Sequence, residues 1–376
     1  IFFICFYEIH TNYEFSITMA ASLTAAMGNP SIGVDVAVLM RDKYLQKQRL
    51  TERGVDVARA RVFRTAPEPK DVADFGFPVV LKPTAGAGTE STEKVDDPGA
   101  FTRAVTRFFA GAAGKNGLLV EQYIDGEEYI LDGWVTDGRV EFASLGRYSR
   151  PCLDTVTMGE NLRMYRCTES THPNLAARAT QLASDSLAAL GLRTGLFHLE
   201  FFRTADDRLV FSECAARRGG ASIEEEVRHS RATSLAAASL DLCLGSAPTI
   251  GSDEPLLEVG TVHPKLTSGV VLDLPRTSQL LEMPGVEYTR YFSYLGATTS
   301  GSTTSTSDRD AVFLVGAGSL GELDGRLDAV EAAFLSQAIV SPNRTPGDMR
   351  GFQHTTLGRD DLIDHPFPVR AVRTVG

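Results

Sequence analysis

The stretch Gly195–Gly220, GLFHLEFFRTADDRLVFSECAARRGG, decides how the rest of this 376-residue chain is read. Two runs of aromatic and aliphatic residues, Leu196 to Phe202 and Leu209 to Cys214, flank Thr204-Ala205-Asp206-Asp207, whose composition suits a turn. The pattern predicts a β-hairpin. Side chains alternate between the faces of a strand, so Glu200 shares a face with His198 and Phe202, and Glu213 shares one with Leu209 and Phe211. Any even-length loop puts the two glutamates on one face. With Asp206-Asp207 as a two-residue loop they stand directly opposite each other, where like charges repel unless something positive lies between them. Oxygen ligands on neighbouring strands suit Mg²⁺, which is held by one or two carboxylates and completed by water and substrate phosphates. The alternative is a solvated hairpin with both glutamates on its wet face. Phe197, Leu199 and Phe201 on one face, with Phe202, Leu209 and Phe211 on the other, leave little room for a wet face, and a carboxylate pair among them needs a partner.

Composition sets the bounds. The length allows two or three domains, and 43% hydrophobic with 23% charged residues is ordinary for a globular protein. A net charge of −11 argues against non-specific binding to nucleic acid or anionic membrane, so any phosphate must be met by a local basic cluster. Five cysteines, widely spaced and without a CxxC pair, suggest neither a zinc site nor a disulfide framework, and a reducing cytoplasm is expected. The opening IFFICFYEI is apolar but short and lacks a basic flank, and is read as a buried strand of a partial N-terminal α/β domain.

Working outward from the hairpin, Glu14 to Met27 has helical spacing and Gly28-Asn29-Pro30 stops it. Asp42 opens a second helix, DKYLQKQRLTER, with Lys43 in its first turn, where a lone lysine is ordinarily solvent-facing. A strand near Ala60 to Phe63 follows. Phe77 to Lys82 is a strand carrying Lys82 at its end, and Pro83 to Thr92 is a small-residue loop whose N–H groups and hydroxyls suit phosphate oxygens, although a plain hairpin turn has the same composition. It is neither a Walker A loop nor a dinucleotide fingerprint. Asp97-Pro98 starts a helix through Phe109. Leu118 to Ile124 and Glu127 to Val135 are strands around Asp125-Gly126, placing Glu121 and Glu128 on either side of a bend. Arg139 to Arg150 continues the sheet, Pro173 to Leu190 is a helix ended by Gly191, and Ser222 to Glu225 is a capping box opening another. Further elements are expected at Leu235 to Leu244, Val270 to Leu274, Val312 to Val315 and Ser319 to Phe334. TTSGSTTSTS (Thr298 to Ser307) reads as a flexible loop, and the tail after Ser341 as poorly ordered.

Taken in this order, the pieces resemble the ATP-grasp superfamily of ligases, from about Asp42 to Leu244 and beyond. DKYLQKQRLTERGV is similar to the helix supplying the first phosphate lysine, Lys43, and FPVVLKPTAGAG to the strand and loop carrying the second, Lys82. LLVEQYIDGEE resembles the hinge in which Gln122 to Ile124 hold adenine, Glu121 borders its pocket and Glu128 takes the ribose hydroxyls. HLEFF and FSECAARRGG resemble the metal-bearing strands, with Glu200 and Glu213 as ligands. Many members carry an asparagine two residues after the second glutamate, where this chain has Ala215. ECAAR is similar to the branch containing bacterial amino-acid and dipeptide ligases, which implies that Arg217 faces the reacting phosphoryl group.

The resemblance implies an α+β architecture: a partial N-terminal α/β domain (1–41), then an ATP-grasp region (42–345) in which a connecting helix and strand (42–75), a small subdomain (76–130) and a large subdomain (131–345) clasp the nucleotide, and a tail (346–376). It implies ATP and Mg²⁺, with Mn²⁺ able to substitute, and a carboxylate–amine ligase passing through an acyl phosphate. Small-molecule carboxylate and amine substrates would be the partners, with no nucleic acid or membrane and with a homodimer compatible. Two other readings stay open: a carboxylase-type enzyme activating bicarbonate, and a nucleotide-binding protein without catalysis. The substrate pockets are expected in loops Arg147 to Met158 and Gly285 to Ser307.

Overall fold

The computed structural model of the chain describes residues 9–28, 32–253 and 255–342. The expected strand over the first residues, the stop at Asn29-Pro30 and the expected tail lie outside them. Three short helices open the described chain: α1 (Ile17–Ala26), α2 (Val34–Leu39) and α3 (Lys43–Glu52). Asp42 caps α3, its carboxylate accepting from the backbone N–H of Tyr44 at 2.9 Å and Leu45 at 3.0 Å.

Next comes an antiparallel sheet of β1 (Ala60–Phe63), β2 (Val79–Pro83), β3 (Glu93–Val95) and β4 (Leu118–Gln122), in the order β1-β4-β2-β3. Helix α4 (Pro98–Ala110) backs it, starting as expected at Asp97. Its face with Phe101, Ala104, Val105 and Phe108 closes a core with Val79, Leu81 and Val120.

The second sheet has eight strands. β5 (Gly126–Thr136), β6 (Arg139–Tyr148), β7 (Leu162–Arg166), β8 (Gly195–Thr204), β9 (Leu209–Ala215), β10 (Glu258–His263), β12 (Val286–Tyr291) and β14 (Ala311–Ala317) run in the order β12-β14-β10-β7-β6-β5-β8-β9, every neighbour antiparallel. The short β11 (Gly269–Asp273), β13 (Thr298–Thr299) and β15 (Ile339–Ser341) form a third sheet. Alternation gives the large sheet two different faces. One buries Tyr129, Leu131, Phe197, Leu199 and Phe201 under α6 (Leu175–Leu190), and Val262, Phe313 and Val315 under α10 (Leu320–Gln337). The other carries Glu128, Asp132, Arg166, His198, Glu200 and Thr261, linked strand to strand through the pairs Ile130↔Glu200, Ile130↔Gly146, Gly146↔Arg166 and Thr261↔Met164. That polar face holds the site.

Four local expectations are corrected. Arg147 to Met158 is not an open loop: it ends β6 and contains α5 (Cys152–Met158). Gly285 to Ser307 contains β12 and β13, so the Ser/Thr-rich stretch is partly strand. Ser222, ahead of α7 (Ile223–Arg231), has φ 73° and makes no side-chain cap, because an N-cap hydroxyl reaches the first N–H groups only from an extended backbone. The buried Glu224 instead caps the next helix, α8 (Leu235–Cys243), accepting from Ser234 Oγ at 2.7 Å and Ala236 N at 2.9 Å. The fourth correction concerns the hairpin loop.

Candidate active site

Glu200 stands directly opposite Glu213, but not through a two-residue loop. Below them Phe201 pairs with Phe211 and Arg203 with Leu209, which leaves a loop of odd length, tied by Asp207 N–H to Thr204 O at 2.9 Å and with Asp207 at φ 64°. Alone, that register would set the glutamates on opposite faces. A bulge between the Phe201 and Glu200 pairs, at Ser212, inserts one residue and restores the shared face. The bulged residue's carbonyl accepts from Lys47 Nζ at 2.7 Å.

Helix α3 lies against this hairpin. The Gln46 side chain donates to Cys214 O at 2.8 Å and accepts from Cys214 N at 3.0 Å, fixing helix to strand as a third strand would. One turn of helix separates Lys43 from Lys47, so both reach the same cleft. Lys43 Nζ is 2.8 Å from Glu213 Oε2 and donates to Gly86 O at 3.1 Å. Glu121 lies between two cations, with Lys82 Nζ at 2.9 Å and Lys47 Nζ at 3.3 Å. Burial lowers the Lys47 pKa to about 8, against the pull of Glu121. For Lys82 burial also opposes the charge, but Glu121 and Glu213 outweigh it and the pKa is raised. Burial pushes Glu213 the other way, yet Lys43 and Lys82 prevail and hold it at about 2. Three buried ammonium groups therefore converge on two paired carboxylates, Glu121 and Glu213.

Glu128 accepts from the backbone N–H of Cys152 at 2.7 Å; burial, then the charge of Glu200, raises its pKa. Gln122, Tyr123 and Ile124 border the same cleft, as do Gly86 to Thr89 and Thr306. Beneath Glu200 lies a polar chain. His198 donates from Nε2 to Glu200 at 3.2 Å and from Nδ1 to the fully buried Asp132 at 2.8 Å, and Arg166 joins Asp132 (3.4 Å) to Glu226 (2.8 Å). Although burial disfavours the imidazolium, Asp132 raises its pKa to about 10. Two glycines make room for this chain. A Cβ on Gly146 would come within 2.6 Å of the Arg166 guanidinium, and one on Gly219 within 2.5 Å of Asp132 Oδ1.

The cleft thus gathers Lys43, Lys82, Glu121, Gln122, Ile124, Glu128, Glu200 and Glu213. Arg217 is placed differently: its Nε is bonded to Glu14, which also holds Arg41, and its Nη1 donates to Arg218 O at 2.8 Å. Sequence reasoning missed Lys47, for which the spacing of four from Lys43 was a usable signal, and Asp132 and Arg166, which have no local signature. Thr306 was also missed. Its N–H and the Ser305 hydroxyl bind Gly88 O at 3.1 Å and 2.6 Å, so the Ser/Thr-rich segment is docked on the glycine loop.

Residues 75–226 match the family described as ATP-grasp domain. The matched stretch, less than half of the chain, is what is similar to the ATP-grasp domain. Its fold agrees with the crystal structure of an L-amino acid ligase from Bacillus licheniformis, at a TM-score of 0.73 and 19% identity over 89% of this chain and 81% of that one. In sequence it is 25% identical to an L-arginine-specific L-amino acid ligase of Bacillus subtilis over 65% of this chain, and 26% identical to a D-alanine–D-alanine ligase of Kocuria rhizophila over 48%. The chain spans 59% and 50% of those two proteins. The matched ATP-grasp segment contains Lys82, Glu121, Glu128, Glu200, Glu213 and Arg217; Lys43 and Lys47 precede it.

Proposed function

We propose that the protein is an ATP-dependent carboxylate–amine ligase acting on small molecules, in the manner of amino-acid ligation. The carrying observation is the cleft itself, in which Lys43, Lys47 and Lys82 meet the opposed pair Glu200 and Glu213. Such a site is built for a polyanion and has little acid–base machinery of its own, as phosphoryl transfer requires.

In this reading the lysines take the phosphates of ATP, Glu121 to Ile124 border the adenine and Glu128 accepts from the ribose hydroxyls. Among the described residues no group of three or more His, Cys, Asp or Glu side chains could hold a metal ion unaided. Glu200 and Glu213 nevertheless fit Mg²⁺: His198 engages one oxygen of the first and Lys43 one of the second, which leaves a second oxygen on each, and phosphate oxygens complete the shell. Bound there, Mg²⁺ would offset phosphate charge. A substrate carboxylate oxygen attacks the γ-phosphorus, the bond to the bridging oxygen of ADP breaks, and an acyl phosphate results. An amine then attacks the acyl carbon, phosphate leaves and the amine loses a proton. Arg217, released from Glu14, would hold the phosphoryl oxygens in its guanidinium fork.

The relatives' names support the reaction class, and the buried free thiols of Cys152, Cys167 and Cys214 support a reducing, cytoplasmic setting. No described helix is long and apolar enough to cross a membrane. The test is ADP release with amino acids supplied singly and in pairs. Stimulation by a carboxylate and an amine together supports the proposal; ATP binding without stimulation by any pair favours a nucleotide-binding protein without catalysis.

A further inference from the structure

The glycine loop between β2 and β3 is held from both sides. Its carbonyls accept in succession from protein donors: Thr84 O from Lys43 N at 2.9 Å, Ala85 O from Arg41 Nη2 at 2.7 Å and Gly86 O from Lys43 Nζ at 3.1 Å. Ala87 O and Thr89 O accept within the loop, from Glu90 N at 3.3 Å and Thr92 N at 3.1 Å. Gly88 O is taken by the segment leading into β14, from Ser305 Oγ at 2.6 Å and Thr306 N at 3.1 Å, and Thr306 N also reaches Thr89 Oγ1 at 3.2 Å. The N–H groups of Gly86, Ala87 and Gly88 make no hydrogen bond among the described residues, and all three residues line the cleft. A loop whose carbonyls are tied outward and whose amides are spare is set to receive phosphate oxygens.

The segment that holds Gly88 is itself fixed, despite its Ser/Thr composition. Asp308 Oδ2 accepts from Thr304 N at 2.7 Å, Thr304 Oγ1 at 2.8 Å and Ser305 N at 3.0 Å, which folds residues 304–308 into a turn with the Ser305 hydroxyl on Gly88. Behind the turn, Lys265 Nζ donates to Thr303 Oγ1 at 3.2 Å. Asp310 N donates to Pro264 O at 3.0 Å, and its Oδ2 accepts from Leu266 N at 2.6 Å. Residues 264–266 lie between β10 and β11, so the turn is anchored beside the large sheet while the loop it holds belongs to the small one. The fit is close: a Cβ on Gly88, at φ 64°, would lie 2.9 Å from Ser307 Oγ.

We propose that Ser305 and Thr306 form a gate on the nucleotide cleft: they are positioning residues that keep the glycine loop down, and nucleotide enters and leaves only when their bonds to Gly88 open. This rests on the reading above that ATP occupies the cleft. All of these bonds join protein atoms, so they hold the loop equally whether the cleft is full or empty and favour neither state. Weakening them raises the open fraction in both states, which speeds entry and exit together and leaves the dissociation constant nearly unchanged. A residue that bound the nucleotide, or whose loss merely loosened the site, would instead raise the dissociation rate alone.

Stopped-flow fluorescence with a methylanthraniloyl derivative of ADP and Mg²⁺ measures both rates. Ser305→Ala should raise association and dissociation each about five-fold, the change expected for one ordinary hydrogen bond, with Kd within about two-fold of wild type. Asp308→Ala, which unties the turn, should do the same or more, and Ser305→Thr, which keeps the hydroxyl, should restore the slow rates. Ser300→Ala is the control, since that hydroxyl bonds only within its own segment, and should leave both rates unchanged. A dissociation rate that rises alone, with Kd rising in proportion, would make the pair part of the binding surface and overturn the gate. Rates unchanged in both Ser305→Ala and Asp308→Ala would also overturn it, while the nucleotide site stands. No binding to the wild-type protein would sink the site and the gate together.

Discussion

Glu213 and Arg217, four residues apart, are held by different parts of the molecule. Lys43 and Lys82 keep Glu213 ionised down to about pH 2. Its folded pKa lies below its ordinary value, so its contribution to stability is present above about pH 4.5 and is lost as the pH falls towards 2. Glu213→Gln should therefore lower the stability of the free protein at pH 7 as well as its turnover, and a urea midpoint that does not fall would break the Lys43 assignment. Lys47 titrates in the opposite sense. Its folded pKa of about 8 lies below its ordinary value of 10.5, so the unfolded chain binds more protons between those values and Lys47 makes stability rise with pH across that window. The difference in unfolding free energy between wild type and Lys47→Met should accordingly grow in favour of wild type from pH 8 to 10.5, with denaturation at both ends as the measurement. A constant difference would mean Lys47 is not buried as a cation. For Arg217, a role on the phosphoryl group means that Arg217→Lys cuts turnover by about two orders of magnitude or more with little change in ATP affinity, while Arg218→Lys is mild. Rates that fall alike in both variants, or in neither, would remove Arg217 from the reaction.

Among the elements, the central hairpin shows what alternation reveals and what it hides. The residues of β8 and β9 placed Glu200 opposite Glu213, because a period of two survives any loop that keeps register. They could not reveal that an odd loop and the bulge at Ser212 offset each other, since both are backbone choices without a side-chain signature. Helix α3 was legible from its Asp42 cap, and Lys82 from its place at the end of a short apolar strand. Strands β10 and β12 were not. EVGTVH is six residues with a glycine inside, and VEYTRY alternates too many polar residues to stand out from its flanks. Their identity is set by neighbours distant in sequence. Gly219, between β9 and α7, is a local test of the buried chain under Glu200. A Cβ there would lie 2.4 Å from Ile223 Cδ1, 2.5 Å from Asp132 Oδ1 and 2.8 Å from His198 Nδ1. Gly219→Ala should cost about 1–3 kcal/mol of stability, the usual penalty for overpacking, and should lower turnover by displacing His198. A thermal scan with unchanged melting would show that the junction can give way.

At the scale of the whole molecule, the site is assembled from segments that meet only on folding: α3, the glycine loop beside β2, the hinge after β4, strands β5, β8 and β9, and the segment before β14 that docks on Gly88. Residue types and their order pointed to the first six, because each has a local reason for its lysine, glycine or glutamate. The seventh looked like a flexible linker, since its Ser/Thr composition says nothing of what it binds. The central claim is that this assembly couples ATP to amide formation. Its most direct measurement is the yield of ADP, phosphate and amide in one incubation with Mg²⁺ and amino-acid pairs, for wild type and for Glu200→Gln. The account expects the three products in equal amounts from wild type and none from the variant. ADP formed without amide, or undiminished products from Glu200→Gln, would contradict it.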